Sequence, residues 1–340
     1  MIVILVACGP SSSGSPPDSP PPACFADSDC GLGMRCEGGT CIDNNCGGES
    51  LELTYVPPNL LLVLDRSCSM RQIPATATMS KWQIAVDSIK QVITSYANDI
   101  RWGLTLFPDK TLAECTQQDF AFPLADGNGP GIQALLTNAL VATDPLYPRD
   151  PCVTNIDTGL TQAATDPALS DPARQSYLML ITDGAQSNGC TAGGGDAGAE
   201  MAVQQLFSHG IKTFVIGFGG AVDAVQLNKM AVAGGTPQSG TTKYFRADTA
   251  GELDMAFASI ADQVIGCSYL VDPPPEDLAQ TYVWFEKTEL VPRDLTHMAG
   301  WDYDPATQLI TLYGMYCDRL RTHVVDTVDV IFGCPSPPVL

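Results

Sequence analysis

The sequence predicts an α/β protein built on a doubly wound, mostly parallel sheet, with a small disulfide-rich module before it and an antiparallel β module after it. Three observations carry this reading. Asn59–Leu64 (NLLLVL), Tyr177–Thr182 (YLMLIT) and Lys212–Phe218 (KTFVIGF) have the length and apolar content of strands buried on both faces. Between such runs, apolar residues recur at helical spacing, as in Trp82, Ala85, Val86, Ile89, Val92, Ile93 and Tyr96. Strands that alternate with helices select a parallel sheet. Thirdly, five cysteines crowd the segment before this pattern, and β-branched and aromatic runs follow it.

Composition narrows the function classes. Seventeen Lys+Arg against 38 Asp+Glu give a formal charge of −21 over 340 residues, which disfavours nucleic acid and anionic lipid surfaces as partners. No apolar run approaches twenty residues, so no transmembrane helix is predicted. Thirteen cysteines with only three histidines point to disulfides in an oxidising compartment rather than to cytosolic zinc. An odd count leaves one sulfur without a partner.

The first elements suggest where that sulfur lies. Ile2–Ala7 is apolar and runs directly into Cys8 and Gly9. Leu5-Val6-Ala7-Cys8 resembles the bacterial lipobox, which implies a signal peptide over 1–7, a lipid on Cys8 and membrane attachment through that lipid only. The stretch is short and no Lys or Arg precedes it, so a clipped secretory signal or a start placed too late is the alternative. Either way the protein is expected outside the cytoplasm, in the bacterial cell envelope as an outer-membrane lipoprotein, or secreted. Residues 8–23 (CGPSSSGSPPDSPPPA…) are rich in Pro and Ser and read as a semi-rigid tether.

Residues 24–46 hold Cys24, Cys30, Cys36, Cys41 and Cys46 within a segment too short to bury a core. The spacing resembles short EGF-like repeats of secreted proteins. No CxxC pair or nearby His favours zinc. Asp27, Asp29 and Asp43 admit a calcium reading beside the commoner one of turn chemistry.

The main domain is expected over residues 56–266. After the first strand and the Trp82–Tyr96 helix come a strand at Trp102–Phe107 and a helix at Gly131–Val141. Helices over Ala197–Ser208, Ala224–Ala233 and Glu252–Val264 and a short strand at Lys243–Arg246 complete it. In such sheets ligands sit beyond the carboxyl ends of the strands, where the strand order reverses. There the sequence places Asp65-Arg66-Ser67-Cys68-Ser69 after the first strand, Thr154 in a loop entering a helix, and Thr182-Asp183-Gly184 after a later strand. Carboxylates and hydroxyls are hard oxygen ligands suited to Mg²⁺, Ca²⁺ or Mn²⁺.

This D-x-S-x-S, threonine and TDG set, in that order and on those elements, resembles the von Willebrand factor type A domain with its metal-ion-dependent adhesion site. The resemblance covers about 59–266 and includes the stretch around Ala231–Phe245. It implies that Ser67, Ser69 and Thr154 contact a divalent cation directly. Asp65 and Asp183 would act through waters or hydrogen bonds to the ligands. Ser69 as a helix cap and Asp183 as a turn residue are the plainer alternatives. Magnesium is the expected ion, with calcium or manganese as alternatives, and the expected partner is a protein that presents Asp or Glu to it. Arg66 and Arg71 lie near the site, either assisting or as exposed surface charge.

Within this frame the cysteines receive pairings. The module is expected to form Cys24–Cys36 and Cys30–Cys41. Cys46 and Cys267 bracket the domain and would close it, as in some type A domains. Cys68 and Cys190 fall on the site face and would form a brace, and Cys115–Cys152 would close the intervening loop. A catalytic thiolate at Cys68 or Cys190 is the sharper alternative, but neither motif holds a histidine to activate it. From 267 to 340, Tyr282–Phe285, Trp301–Tyr303, Leu309–Tyr313 and Val324–Phe332 read as strands of one antiparallel β module tied by Cys317–Cys334. It resembles C-terminal extensions of bacterial secreted type A proteins. Isolated His297 and His323 read as surface or packing residues.

The leading expectation is thus a cell-surface, metal-dependent adhesion or protein-binding protein. The alternative is a structural envelope component whose metal and disulfides only stabilise the fold. No phosphate loop, GxSxG, HExxH or Cys/His pair is present, so no enzymatic activity is expected.

Overall fold

The computed structural model describes residues 24–25, 29, 34–43, 53–75, 77–109, 115–117, 119–149, 152–275, 277–322 and 324–332. The expected signal peptide, lipidated Cys8 and tether lie outside the described residues, as do Cys30, Cys46, Cys334 and His323. The chain forms two compact units. The larger joins residues 54–271 to 293–325, and the smaller joins described residues up to Leu53 to 272–292 and 326–332.

The smaller unit begins with a hairpin of β1 (Met34–Glu37) and β2 (Thr40–Asp43). Gly38 and Gly39 form its turn with φ of 62° and 82°, the positive pair that suits a two-residue hairpin loop. Cys24 is bonded to Cys36 on β1.

The larger unit opens with β3 (Thr54–Tyr55) and β4 (Asn59–Asp65), followed by α1 (Lys81–Ser95) and β5 (Arg101–Phe107). Next come α2 (Asn128–Asn138), α3 (Ile156–Ala163), β6 (Ser176–Thr182), α4 (Gly195–Ser208) and β7 (Lys212–Phe218). Then α5 (Ala224–Ala233), β8 (Phe245–Ala247) and α6 (Ala250–Val264) complete the central layer. Five parallel strands run in the order β5-β4-β6-β7-β8. All seven residues of β4 are buried, which explains its uninterrupted apolar run. Leu60, Leu62 and Leu64 pack on one face with Trp82 and Ile89 of α1, Leu136 of α2 and Phe257 of α6. Leu61 and Val63 pack on the other with Leu160 of α3, Val203 of α4 and Leu227 of α5. Side chains must alternate across a strand, so one hydrophobic run serves two cores.

The remaining elements are β9 (Ser268–Leu270), β10 (Thr281–Phe285), β11 (Glu289–Val291), β12 (Gly300–Asp304), β13 (Leu309–Tyr313), α7 (Met315–Arg321) and β14 (Val328–Phe332). The antiparallel strands expected over 267–340 form, but they divide between two sheets rather than gathering into one. In the larger unit an antiparallel sheet runs β12-β13-β9-β3. In the smaller unit the order is β11-β10-β14. The division follows from the parallel core. Its two ends lie close enough for β3, which precedes it, to pair with β9, which follows it.

One observed bond overturns two expected disulfides, Cys46–Cys267 and Cys317–Cys334, since it uses a cysteine of each. Cys267 is bonded instead to Cys317. Its carbonyl accepts from Leu312 N at 2.9 Å on β13, which leads within a few residues into α7 and Cys317. Arg321 Nε donates to Ile265 O at 2.7 Å from the same helix. Replacing both cysteines by Ser is expected to destabilise the larger unit by about 4 kcal/mol, the chain-entropy value for a loop of this size. Urea unfolding measures it, and a loss below about 1 kcal/mol would mean that the hydrogen bonds alone hold this junction.

Candidate metal centre

Four of the expected site residues, Asp65, Ser67, Ser69 and Asp183, lie at the carboxyl ends of β4 and β6, neighbouring strands on either side of the reversal in strand order, and the fifth, Thr154, comes from the loop before α3. Asp65 ends β4 and is fully buried. One carboxylate oxygen accepts from Ser67 N at 2.7 Å, and the other accepts from Thr182 Oγ1 at 2.7 Å. The first bond folds the chain after β4 into a tight turn, and the second ties that turn to β6. Burial, reinforced by the Asp183 carboxylate nearby, pushes the Asp65 carboxyl up to about 7.

The turn brings Ser67 Oγ within 2.9 Å of Ser69 Oγ. Ser69 Oγ donates to Asp183 Oδ1 at 2.7 Å. Asp183 is also fully buried, and its other oxygen accepts from Lys81 Nζ at 2.6 Å. Thr154 stands before α3, where its N–H donates to Ser187 Oγ and its carbonyl accepts from Ser187 N, both at 2.8 Å. These reciprocal bonds fasten the threonine segment to the loop after Asp183. A Cβ added at Gly184 would lie 3.4 Å from Thr154 Oγ1 and 4.0 Å from Ser69 Oγ, so both hydroxyls converge on the space that glycine leaves. The structure thus brings Asp65, Ser67, Ser69, Thr154 and Asp183 together from three separate segments.

This donor set fits a small hard cation. Among the described residues no three His, Cys, Asp or Glu side chains form a metal-holding group. Any ion here therefore depends on hydroxyls with two supporting carboxylates. Gly184→Ala is expected to keep the fold, since its methyl meets Thr154 and Ser69 at ordinary contact distances, and to weaken Mg²⁺ binding by roughly a few-fold by crowding an ion held beside Thr154 Oγ1. Isothermal titration tests this, and unchanged affinity would place the ion elsewhere.

The cysteine braces differ from the expected Cys68–Cys190 and Cys115–Cys152. Cys68 is bonded to Cys152, and Cys115 to Cys190. All four do lie around the site face, but the loop after β5 carries Cys115 to the Cys190 loop rather than back towards Cys152. Neither Cys68 nor Cys190 is a thiolate. Arg66 is also not an exposed charge: it is 1% exposed and donates from Nε to Pro108 O at 2.7 Å, which locks the turn onto the end of β5. Arg71 is exposed.

Two contributors escaped sequence reading. Asp157 in α3 is buried and accepts from Gly193 N and Gly195 N, at 3.0 and 2.8 Å, holding the Gly-rich loop at the start of α4. Lys81 opens α1, directly after Ser80, whose hydroxyl accepts from Gln83 N and caps the helix. Neither carried a sequence signal, since a lysine in the first turn of a helix and an aspartate after a helix start are both ordinary until the face they occupy is known.

A family model for the von Willebrand factor type A domain matches residues 59–258, more than half of the chain. The chain belongs to this family. Its type A domain contains the sheet, the six helices around it and all five site residues. Proximal thread matrix protein 1 from the mussel byssus is similar in fold, at 17% identity over 64% of this chain and 50% of that one, with a TM-score of 0.46. The pilus adhesin SpaC of Lactobacillus rhamnosus GG, in an open conformation, matches at 15% identity over 84% of this chain and 39% of its own, TM-score 0.45. The PilB minor pilin of Streptococcus sanguinis matches at 19% identity over 67% and 66%, TM-score 0.42. The chain spans about half the length of the mussel protein. Among curated proteins no sequence match was found. No helix among the described residues is long and apolar enough to cross a membrane.

Proposed function

We propose that this chain is a cell-surface binding protein whose type A domain holds a divalent cation and uses it to capture an Asp or Glu side chain of a protein partner. One observation carries the proposal. Every oxygen of the two buried carboxylates already accepts a hydrogen bond, from Ser67 N, Thr182, Ser69 and Lys81. The hydroxyls of Ser67, Ser69 and Thr154 are then the proposed direct ligands, with the two hydrogen-bonded carboxylates holding them in place and supplying the balancing charge. A divalent cation on neutral hydroxyls keeps most of its charge and supplies a strong electrostatic site for an incoming carboxylate.

Magnesium is the proposed ion, with calcium or manganese as alternatives. The chain's own residues build a rigid, pre-shaped mouth for it. Asp65 fixes the serine turn, Ser187 fixes Thr154, the Cys68–Cys152 bond ties the serine turn to the threonine segment, and Cys115–Cys190 anchors the loop after Asp183 to the loop after β5. With a formal charge of −21 the surface would otherwise repel an acidic partner, and the ion supplies the attraction. The role proposed is binding rather than catalysis, on a lipid-anchored or secreted protein of the cell envelope, with nucleic acid excluded as partner.

The test is affinity capture from the native envelope with and without EDTA, alongside Ser67→Ala. Capture by the wild type that chelation and Ser67→Ala both abolish, and that Mg²⁺ restores for the wild type, supports the proposal. A partner retained through both treatments overturns it. A melting temperature that drops on chelation with no partner lost would instead favour a purely structural ion.

A further inference from the structure

We infer that Lys81 is a built-in counter-ion of the metal centre, which weakens the hold on the metal and thereby leaves the bound ion more attractive to an external carboxylate. The inference rests on the proposal that this centre binds a divalent cation. Lys81 is 5% exposed and Asp183 is not exposed at all, and they meet at 2.6 Å. This is a closed pair rather than a surface contact. The lysine stem also packs on the chain after β7. A Cβ added at Gly219, which has φ of 87°, would lie 3.2 Å from Lys81 Cε and 3.5 Å from its Nζ. The ammonium is therefore held in place from two sides, by a carboxylate and by a backbone that has no side chain there. Its helix start is fixed as well, since Lys81 N donates to Gln72 O at 2.9 Å in the segment after the serine turn.

The consequence is electrostatic. Asp65 and Asp183, if both ionised, carry two negative charges, and Lys81 cancels one of them. A divalent ion then leaves the centre at a formal +1, where without Lys81 it would be neutral. Like charges close together in a buried site raise each other's energy, so Lys81 disfavours the ion while an Asp or Glu from outside relieves the excess. The same ammonium keeps Asp183 compensated before any metal arrives, since a buried carboxylate without a partner is strongly destabilising.

The experiment titrates the purified full chain with Mn²⁺ and reads bound ion by electron paramagnetic resonance. Wild type is compared with Lys81→Met, Lys81→Arg and Ser67→Ala. Lys81→Met is expected to bind Mn²⁺ roughly tenfold or more tightly than wild type, while Lys81→Arg stays within a few-fold. Acetate, as the carboxylate probe, is expected to perturb the Mn²⁺ signal at several-fold lower concentration in wild type than in Lys81→Met. Near-UV circular dichroism checks the fold. If Lys81→Met folds only with metal, Mn²⁺ should restore its spectrum below the concentration that saturates wild type. Mn²⁺ affinity that is unchanged or weaker in Lys81→Met, or no restoration of its fold by Mn²⁺, overturns the inference while leaving the metal centre standing. No Mn²⁺ binding by wild type, or equal binding by Ser67→Ala, removes the centre itself and the inference with it.

Discussion

In EDTA, the wild-type protein is expected to lose stability as pH rises from about 4 to about 7, and Asp65→Asn is expected to abolish that loss. Burial and the nearby Asp183 carboxylate hold the folded Asp65 carboxyl up at about 7, whereas the unfolded chain releases the proton near the ordinary aspartate value of 3.8. Between those values the native state binds more protons than the unfolded one, so stability falls with rising pH and then levels off above about 7. A rise of that size corresponds to an effect on the order of 4 kcal/mol. Asn keeps the acceptor for Ser67 N and offers Thr182 a donor, so the geometry survives while the charge is gone. Asp294 and Glu286, held low by hydrogen bonds from Thr296, Ala299, Asp326 and Thr327, act in the opposite direction, and their effect is complete once pH exceeds the ordinary carboxylate range, leaving the upper part of this window to Asp65. Magnesium is expected to add more stability at pH 8 than at pH 5, since at the lower pH it competes with the Asp65 proton. It is expected to add none to Asp65→Asn. Thermal melts of the two proteins at matched pH measure this, and parallel curves from pH 4 to 7 would refute the account.

That cost explains why the site was legible in the sequence while its supports were not. Asp65, Ser67, Ser69, Thr154 and Asp183 announce themselves because each follows a strand or precedes a helix, and a parallel sheet must bring those points to one edge. Two buried carboxylates at neighbouring strand ends contradict a hydrophobic core, and the contradiction marks a functional place. Lys81 carries no such mark, since lysine at the start of a helix is ordinary until the helix face it occupies is known. The cysteines show a sharper limit. The topology assigns Cys68, Cys115, Cys152 and Cys190 to one face, but four cysteines admit three pairings, and only loop paths choose among them. After residue 267 the local strand pattern was readable, yet sheet membership was not. Alternation reports that a strand has a buried face and never names the strand beside it.

Removal of the Cys68–Cys152 bond is the change expected to reach furthest into function. Cys68 sits between the two site serines, and Cys152 lies two residues before Thr154. Their bond therefore joins the two segments that supply all three hydroxyls. In the reduced chain these segments must still converge on Gly184, but the search is no longer restricted by a loop closed over 84 residues. Chain entropy alone assigns such a loop about 4–5 kcal/mol, only part of which appears as lost global stability, because the interleaved Cys115–Cys190 bond constrains the same region. The rest is expected at the site, as a fall of roughly ten- to a hundredfold in Mg²⁺ affinity for Cys68→Ser/Cys152→Ser. Cys267→Ser/Cys317→Ser is the matched control, because it also removes one disulfide but none of the ties between ligand segments. If both pairs of variants lose stability and only the first loses Mg²⁺ affinity by calorimetry, the bond acts by pre-shaping the centre. If the first binds Mg²⁺ as tightly as wild type, the hydrogen bonds of Asp65, Ser69 and Ser187 suffice, and the disulfide serves the fold alone.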